Sequence, residues 1–237
     1  MSIPMTEHPA WVEDLLIATK PYRERIECHP IFLAAAAGAL PVARIQRTLV
    51  HFHPLIENFP KYMALSLAKV PAGDGGWDRA ARQWLIANLN VERAHSDWWK
   101  QWAVGFGVPV GVFEAEIRPP AKVDALGNYL WRVSYQGSLA EGMSATNWAV
   151  EGPTGQWTKT VKDGLRSYAD RTGVQIDERT LRWIDRHADY DDRHPHEALE
   201  IVKAFATTAE EQERVKHAAV RAMEYYALAL DACCEKA

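Results

Sequence analysis

The sequence predicts an all-α protein, and three observations carry that expectation. Apolar residues recur at helical spacing in almost every segment. No run alternates β-branched with polar residues, and no Asn-Gly pair marks a hairpin. The turn signals PAGDGG (Pro71 to Gly76), GVPVG (Gly107 to Gly111) and GPTG (Gly152 to Gly155) leave only short connections. Short connections set consecutive helices antiparallel. The 237 residues are ample for one large hydrophobic core. No linker or internal repeat divides them, so the expectation is one domain over 1–237, a helical bundle of seven to nine helices.

In chain order, Trp11 to Cys28 carries apolar residues at helical spacing, with Pro21 expected to break or restart it. Ile31 to Ala43 reads as a packed alanine-rich helix and a turn. Pro41 to Val70 is a long segment disturbed by Pro54 and Pro60. Trp77 to Phe106 is the longest uninterrupted helical pattern, ended by GVPVG. Pro119-Pro120 opens a helix to about Tyr135, since proline suits a first helical turn. Gly137 to Glu151, Gln156 to Arg171, Thr180 to Phe205 and Glu210 to Cys234 complete the set.

Composition narrows the functional classes. Apolar residues at 48% and charged residues at 24% are ordinary for a globular protein. A formal charge of -4 with no lysine/arginine block gives no basic face, so neither nucleic acid nor an anionic membrane is expected as a partner. The most apolar stretch, Ile31 to Ala43, has 13 residues, too few to span a bilayer. The N-terminus lacks a charged region leading into an apolar run, so no signal peptide is expected. The three cysteines, Cys28, Cys233 and Cys234, form no CxxC pair; a reduced cytoplasmic setting is the simple reading. Ten tryptophans are unusual, and a large aromatic core is favoured over a ligand-stacking role.

The stretch HADYDDRHPHEALE, from His187 to Glu200, concentrates the polar residues that need a purpose. His187, Asp191 and His194 are spaced by four and three, which stacks them on one helical stripe, although Pro195 kinks or restarts the helix there. Imidazole, carboxylate and imidazole in a row suit a metal. Glu92 and His95 share a face that also holds Leu85, Asn88, Leu89, Trp99 and Trp102. A carboxylate on an apolar stripe is costly unless something pairs with it, and an inward Glu-x-x-His is the recurring ligand pair of di-iron bundles. Glu151 ends an apolar helix whose stripe holds Ser144, Asn147 and Trp148, and Glu57 lies between apolar residues flanked by Pro54 and Pro60. Glu57, Glu92, Glu151 and Asp191 supply four negative charges, which two iron(II) ions would neutralise; His95, His187 and His194 add nitrogen. Mixed oxygen and nitrogen donors suit iron or manganese better than structural zinc. The alternative is a set of buried polar networks tying helices together. Other histidines (His29, His51, His53, His217) read as surface or capping residues. Glu197 reads as an N-terminal capping partner, Asp189 as solvated, and Asp192 as solvated or orienting a ligand histidine.

The order Glu57, Glu92-x2-His95, Glu151, His187-x3-Asp191-x2-His194 resembles the ligand set of the haem-oxygenase-like di-iron oxidases and oxygenases. Their seven-helix fold is also that of thiaminase II and pyrroloquinoline-quinone synthase. The resemblance runs nearly the whole chain and is densest in ARQWLIANLNVERAHSDWW, SLAEGMSATNWAVEGPTGQW and RHADYDDRHPHEALEIV. The branch it is most similar to forms 1-undecene from a fatty acid. The resemblance implies two iron(II) ions, dioxygen as cosubstrate, and a small carboxylic acid whose carboxylate meets iron; in that branch the acid loses a β-hydrogen and carbon dioxide to leave a terminal alkene. An external electron donor and a homodimer are compatible with it. Relatives with the same ligands act on amino acids or other small acids, and a metal-free binding or regulatory protein remains the non-enzyme alternative. Thiaminase II works through a mid-chain cysteine, and no cysteine lies between Cys28 and Cys233 here.

Overall fold

The computed structural model describes residues 3–171, 173–189 and 193–235. Among them the order is α1 (Ala10–Glu27), α2 (Pro30–Ala36), α3 (Val42–Leu67), α4 (Gly76–Glu92), α5 (His95–Gly105), α6 (Ala121–Gln136), α7 (Leu139–Met143), α8 (Glu151–Arg166), α9 (Arg182–Asp189), α10 (Arg193–Phe205) and α11 (Ala209–Cys234). A 3-10 turn, Val110–Glu114, precedes α6, and a π-helical turn, Ser144–Trp148, joins α7 towards α8. No strand occurs among the described residues, and nine of these α-helices run eight residues or longer. None of the helices is long and apolar enough to cross a membrane.

Local chemistry explains most of the boundaries. α2 starts where the His29 ring accepts from the Ile31 N–H and Pro30 takes the first helical position, so His29 is a buried cap rather than a surface residue. Capping boxes open α7 (Ser138 with Glu141) and α11 (Thr208 with Glu211). Three expectations need correction. Pro21 does not break α1; the carbonyl it leaves without a donor belongs to Ile17, which is exposed and can turn to water. Trp77 to Phe106 is not one helix: the α-helix lapses at Arg93-Ala94, leaving Glu92 as the last residue of α4 and His95 as the first of α5. Pro153 does not delay α8, which already begins at Glu151, because a proline in the first helical turn forfeits no intrahelical bond.

As described, α9 ends at Asp189 and α10 begins at Arg193, so His187 lies on α9 and His194 on α10. Pro195 falls in the first turn of α10, where it is tolerated. Asp191 and Asp192 lie outside the described residues.

α3 packs against α4, α5 and α6; α8 against α2 and α9; α10 against α7 and the π-helical turn; α11 against α1, α6 and the π-helical turn. Small residues on α11 (Ala218, Ala219, Ala222) permit its central position. The tryptophans are largely core, as expected: Trp84, Trp99, Trp102, Trp148, Trp157 and Trp183 are all buried. Glu197 is not a helix cap. It is buried, accepting from the Trp84 indole N–H (2.7 Å), the Ile3 N–H (3.1 Å) and Arg193 (2.9 Å). Glu200 beside it accepts from the Thr6 N–H and hydroxyl, so α10 carries the chain's N-terminal segment on two buried carboxylates.

Candidate active site

The end of α4 and the starts of α5, α8 and α10 meet the side of α9 at one pocket, and five of the seven expected site residues lie in or beside it. Glu92, His95, Glu151 and His187 line it. His194 joins through Glu151, its Nδ1 standing 3.5 Å from Oε1. Glu92 and His95 are buried, and Glu151 and His194 nearly so. The lapse between α4 and α5 does not separate Glu92 from His95; His95 Nδ1 lies 2.7 Å from Glu92 Oε2. Glu57 is the expected ligand that does not reach the pocket. Its half-exposed carboxylate accepts from the Ser96 hydroxyl and lies 3.9 Å from His53, because its neighbours Leu55, Ile56 and Phe59 take the inward face of α3.

Each imidazole is held in a defined state. His187 Nδ1 donates to the Trp183 carbonyl at 2.7 Å, and its ring stacks on the Trp183 indole with centroids 3.8 Å apart. A carbonyl only accepts, so the proton sits on Nδ1 and Nε2 keeps its electron pair. His187 retains some solvent contact, yet the protein packed around its ring, with His95 next to it, pulls its pKa down to about 3. His95, 4.8 Å away between ring centroids, likewise commits Nδ1 to Glu92 and leaves Nε2. This is the arrangement of metal-binding histidines, in which one ring nitrogen is anchored by an outer acceptor and the other binds.

The carboxylates are similarly constrained. Burial raises the Glu92 pKa, against the pull of His95. Burial would lower that of His194, but the hydrogen bond and charge of Glu151, with Glu197 and Glu92 behind, raise it on balance. Glu151 Oε2 accepts from Asn147 Nδ2 at 2.9 Å, and Asn147 is itself buried and bonded through Oδ1 to the Thr146 hydroxyl. Asn147 belongs to the π-helical turn, a feature that recurs at functional sites. Sequence spacing placed Asn147 on the stripe of Glu151 without giving it a task. Nothing in side-chain patterning could have shown the Trp183 carbonyl.

Among the described residues no three His, Cys, Asp or Glu side chains converge into a ready cation-binding set. The carboxylates instead contact the imidazoles. The donor set nevertheless fits iron: the buried Glu92 carboxyl, the nearly buried Glu151 carboxyl, two imidazoles whose Nδ1 is already engaged, and His194 held on a carboxylate.

The polar pocket is one end of a larger space. Leu55, Ile56, Val150, Thr154 and Trp183 line both it and an apolar cavity enclosed by α2, α3, α5, α8, α9 and α11. Among that cavity's lining residues only Thr48, Thr154, Tyr226 and the tryptophans carry any polar atom on the side chain. An apolar pocket with a few polar groups at one end is the usual form of a small-molecule site.

A family model described as iron-containing redox enzyme, of haem-oxygenase-like type, matches residues 46–227. The chain belongs to that family. Its fold is similar to that of a TenA homologue from Pseudomonas syringae pv. tomato, at 29% identity over 99% of each chain with a TM-score of 0.87. It is also similar to a domain with a haem-oxygenase-like fold from Shewanella denitrificans (14% identity, 96% of this chain and 93% of the other, TM-score 0.75). A TenA family transcription regulator from Silicibacter is comparable (14% identity, 95% of this chain and 97% of the other, TM-score 0.74). The latter two speak to the fold alone. No curated protein matches the chain.

Proposed function

We propose that this family member is an iron- and dioxygen-dependent oxidase acting on a fatty acid, decarboxylating it to a terminal alkene. The observation that carries this is the joint between the two cavities: buried carboxylates and imidazoles at one end, and a long apolar space continuing from them through shared walls. A fatty acid has the same division between carboxylate and chain. Glu92, His95, Glu151, His187 and His194 would hold iron, whose part is to activate dioxygen next to the substrate. Asp191, in the same stretch, is proposed as a further ligand. Glu57, half exposed and bonded to Ser96, is assigned to steadying the start of α5 instead.

The chain's own residues do the remaining work. The cavity's apolar walls exclude water from the alkyl chain. Val150, just before α8, and Thr154, one turn into it, flank Glu151 and line both spaces, so they hold the carbons adjoining the carboxylate close to the proposed ligands. Loss of carbon dioxide and two hydrogens from the acid releases two electrons. Dioxygen needs four to become water, so an external donor supplies the other two.

The same chemistry on an amino acid is less favoured, because the long apolar stretch beyond Thr154 suits an alkyl chain and offers a polar side chain few partners. A metal-free regulatory protein is less favoured because it gives no reason for carboxylates and imidazoles to gather where the apolar cavity begins. The deciding experiment is an anaerobic iron(II) titration followed by mixing with oxygen and dodecanoic acid, with headspace analysis for 1-undecene. Iron binding and 1-undecene are expected from the native chain. Glu92→Ala should retain the fold and lose at least 100-fold in iron affinity, on the order expected where a direct ligand matters more than an outer partner. Iron-dependent oxygen consumption without alkene would retain the oxidase and exclude this substrate.

A further inference from the structure

The apolar cavity has a measurable length, and its far end is rigid. On α8 the lining residues Thr154, Trp157, Val161 and Leu165 form one stripe, starting beside Glu151 and running away from the polar pocket. On α3 the stripe Ile56, Phe52, Leu49 and Ile45 runs the other way along the chain, again from the polar end outwards. Thr154 and Ile56 belong to both spaces, whereas Leu165 and Ile45 belong only to the apolar one. Each stripe advances by eleven residue steps, Thr154 to Leu165 and Ile56 to Ile45. At about 1.5 Å per residue, each measures roughly 16 Å. Two helices entering from opposite ends therefore give the same depth.

The far end is also closed by backbone. Gly164, beside Leu165, meets the backbone of Ala36 on α2 so closely that a Cβ would lie 2.2 Å from the Ala36 carbonyl oxygen. Leu40, which lines the same end, has its carbonyl held by the buried Tyr168 hydroxyl at 2.8 Å. A floor pinned by backbone contacts cannot retreat as a flexible side chain would.

We infer that Leu165 and Ile45 are specificity-determining residues that set the longest acyl chain the site accepts. This rests on the carboxylic-acid reading of the same site and adds its length limit. A zigzag of 1.52 Å bonds at 111° advances about 1.25 Å per carbon, so roughly 16 Å seats about thirteen carbons, fewer once the floor side chains take their share. Affinity for saturated acids rises with each methylene until the chain meets Leu165 and Ile45, then falls. Each methylene seated in an apolar wall is worth a factor of about four in affinity.

The test is calorimetric titration of the iron-loaded protein, without oxygen, with even-numbered saturated acids from octanoic to octadecanoic. For the native chain the tightest acid is expected at about twelve carbons, a length at which the floor is reached. Leu165→Ala should move the optimum about two carbons longer and tighten the longer acid about tenfold. Ile45→Phe should move it about two carbons shorter. The two variants shift in opposite directions, and failure of one to fold leaves the other decisive. Affinity rising without a maximum up to octadecanoic acid, or an optimum unmoved in a folded variant, overturns the length limit while leaving the fatty-acid reading intact. No binding of any acid by iron-loaded protein overturns the fatty-acid reading, and the limit with it.

Discussion

At the scale of single residues, His187 is governed by its neighbours more than by its own chemistry. The Trp183 carbonyl fixes its tautomer, the Trp183 ring fixes its plane, and the surrounding protein keeps it neutral down to about pH 3. An unfolded chain would protonate the same ring below its ordinary value of 6.5. Between those values the unfolded state binds more protons, so stability falls as pH falls through that window and is complete above it. A His187→Phe variant, which keeps the stacked ring and cannot titrate, should therefore lose part of the slope in urea midpoint between pH 5 and 7. Measurement of that midpoint against pH in metal-free protein checks it; an unchanged slope would mean the ring is protonated in the fold as well. The histidine itself was legible from its spacing in the sequence. Its partner was not, because a main-chain carbonyl four residues earlier leaves no trace in residue types.

At the scale of elements, the π-helical turn Ser144–Trp148 places Asn147 on Glu151. Without the extra residue that a π-turn inserts, Asn147 and Glu151 would still be four apart, but the whole start of α8 would rotate relative to α7. The turn thus aims Glu151 and supplies the donor that holds it. Asn147→Leu should leave helix content unchanged and weaken iron(II) binding about 10- to 100-fold, the range for an outer partner of a metal ligand. An anaerobic titration followed in the ultraviolet would read it, and native affinity in the variant would reduce Asn147 to a packing residue. The element boundaries show where periodicity and turn residues in the sequence mislead about helix limits. Turn residues signalled PAGDGG and the ends of α6 well. The lapse at Arg93-Ala94 contains neither glycine nor proline, so periodicity ran straight through it. Conversely Pro21 and Pro153 signalled breaks that do not occur, one because water serves the orphaned carbonyl, the other because a first turn has no bond to lose.

At the scale of the whole molecule, the donors come from five helices: Glu92 from α4, His95 from α5, Glu151 from α8, His187 from α9 and His194 from α10. The all-α class followed from helical periodicity, and the gathering of these distant residues from polar groups on apolar stripes. The continuation of their pocket into an apolar cavity did not, because lining residues are indistinguishable from core residues until helices are packed. If these five side chains hold iron, as proposed, the ion would be a cross-link between five helices as well as a reagent. The carboxylates of Glu92 and Glu151 face the imidazoles of His95 and His194 at 2.7 and 3.5 Å. With iron bound between them, folding and binding would share one free energy. At a hundredfold excess over the dissociation constant, a ligand of the folded state alone adds about 2.7 kcal/mol. For a chain of this size that is on the order of 5–10 °C in thermal midpoint. Anaerobic melting with and without iron(II) should show that rise in the native chain and its loss in Glu151→Ala, whose own metal-free midpoint provides the baseline. A native chain that melts at the same temperature with and without iron(II) would mean these five side chains form a polar network that ties the helices without a cation.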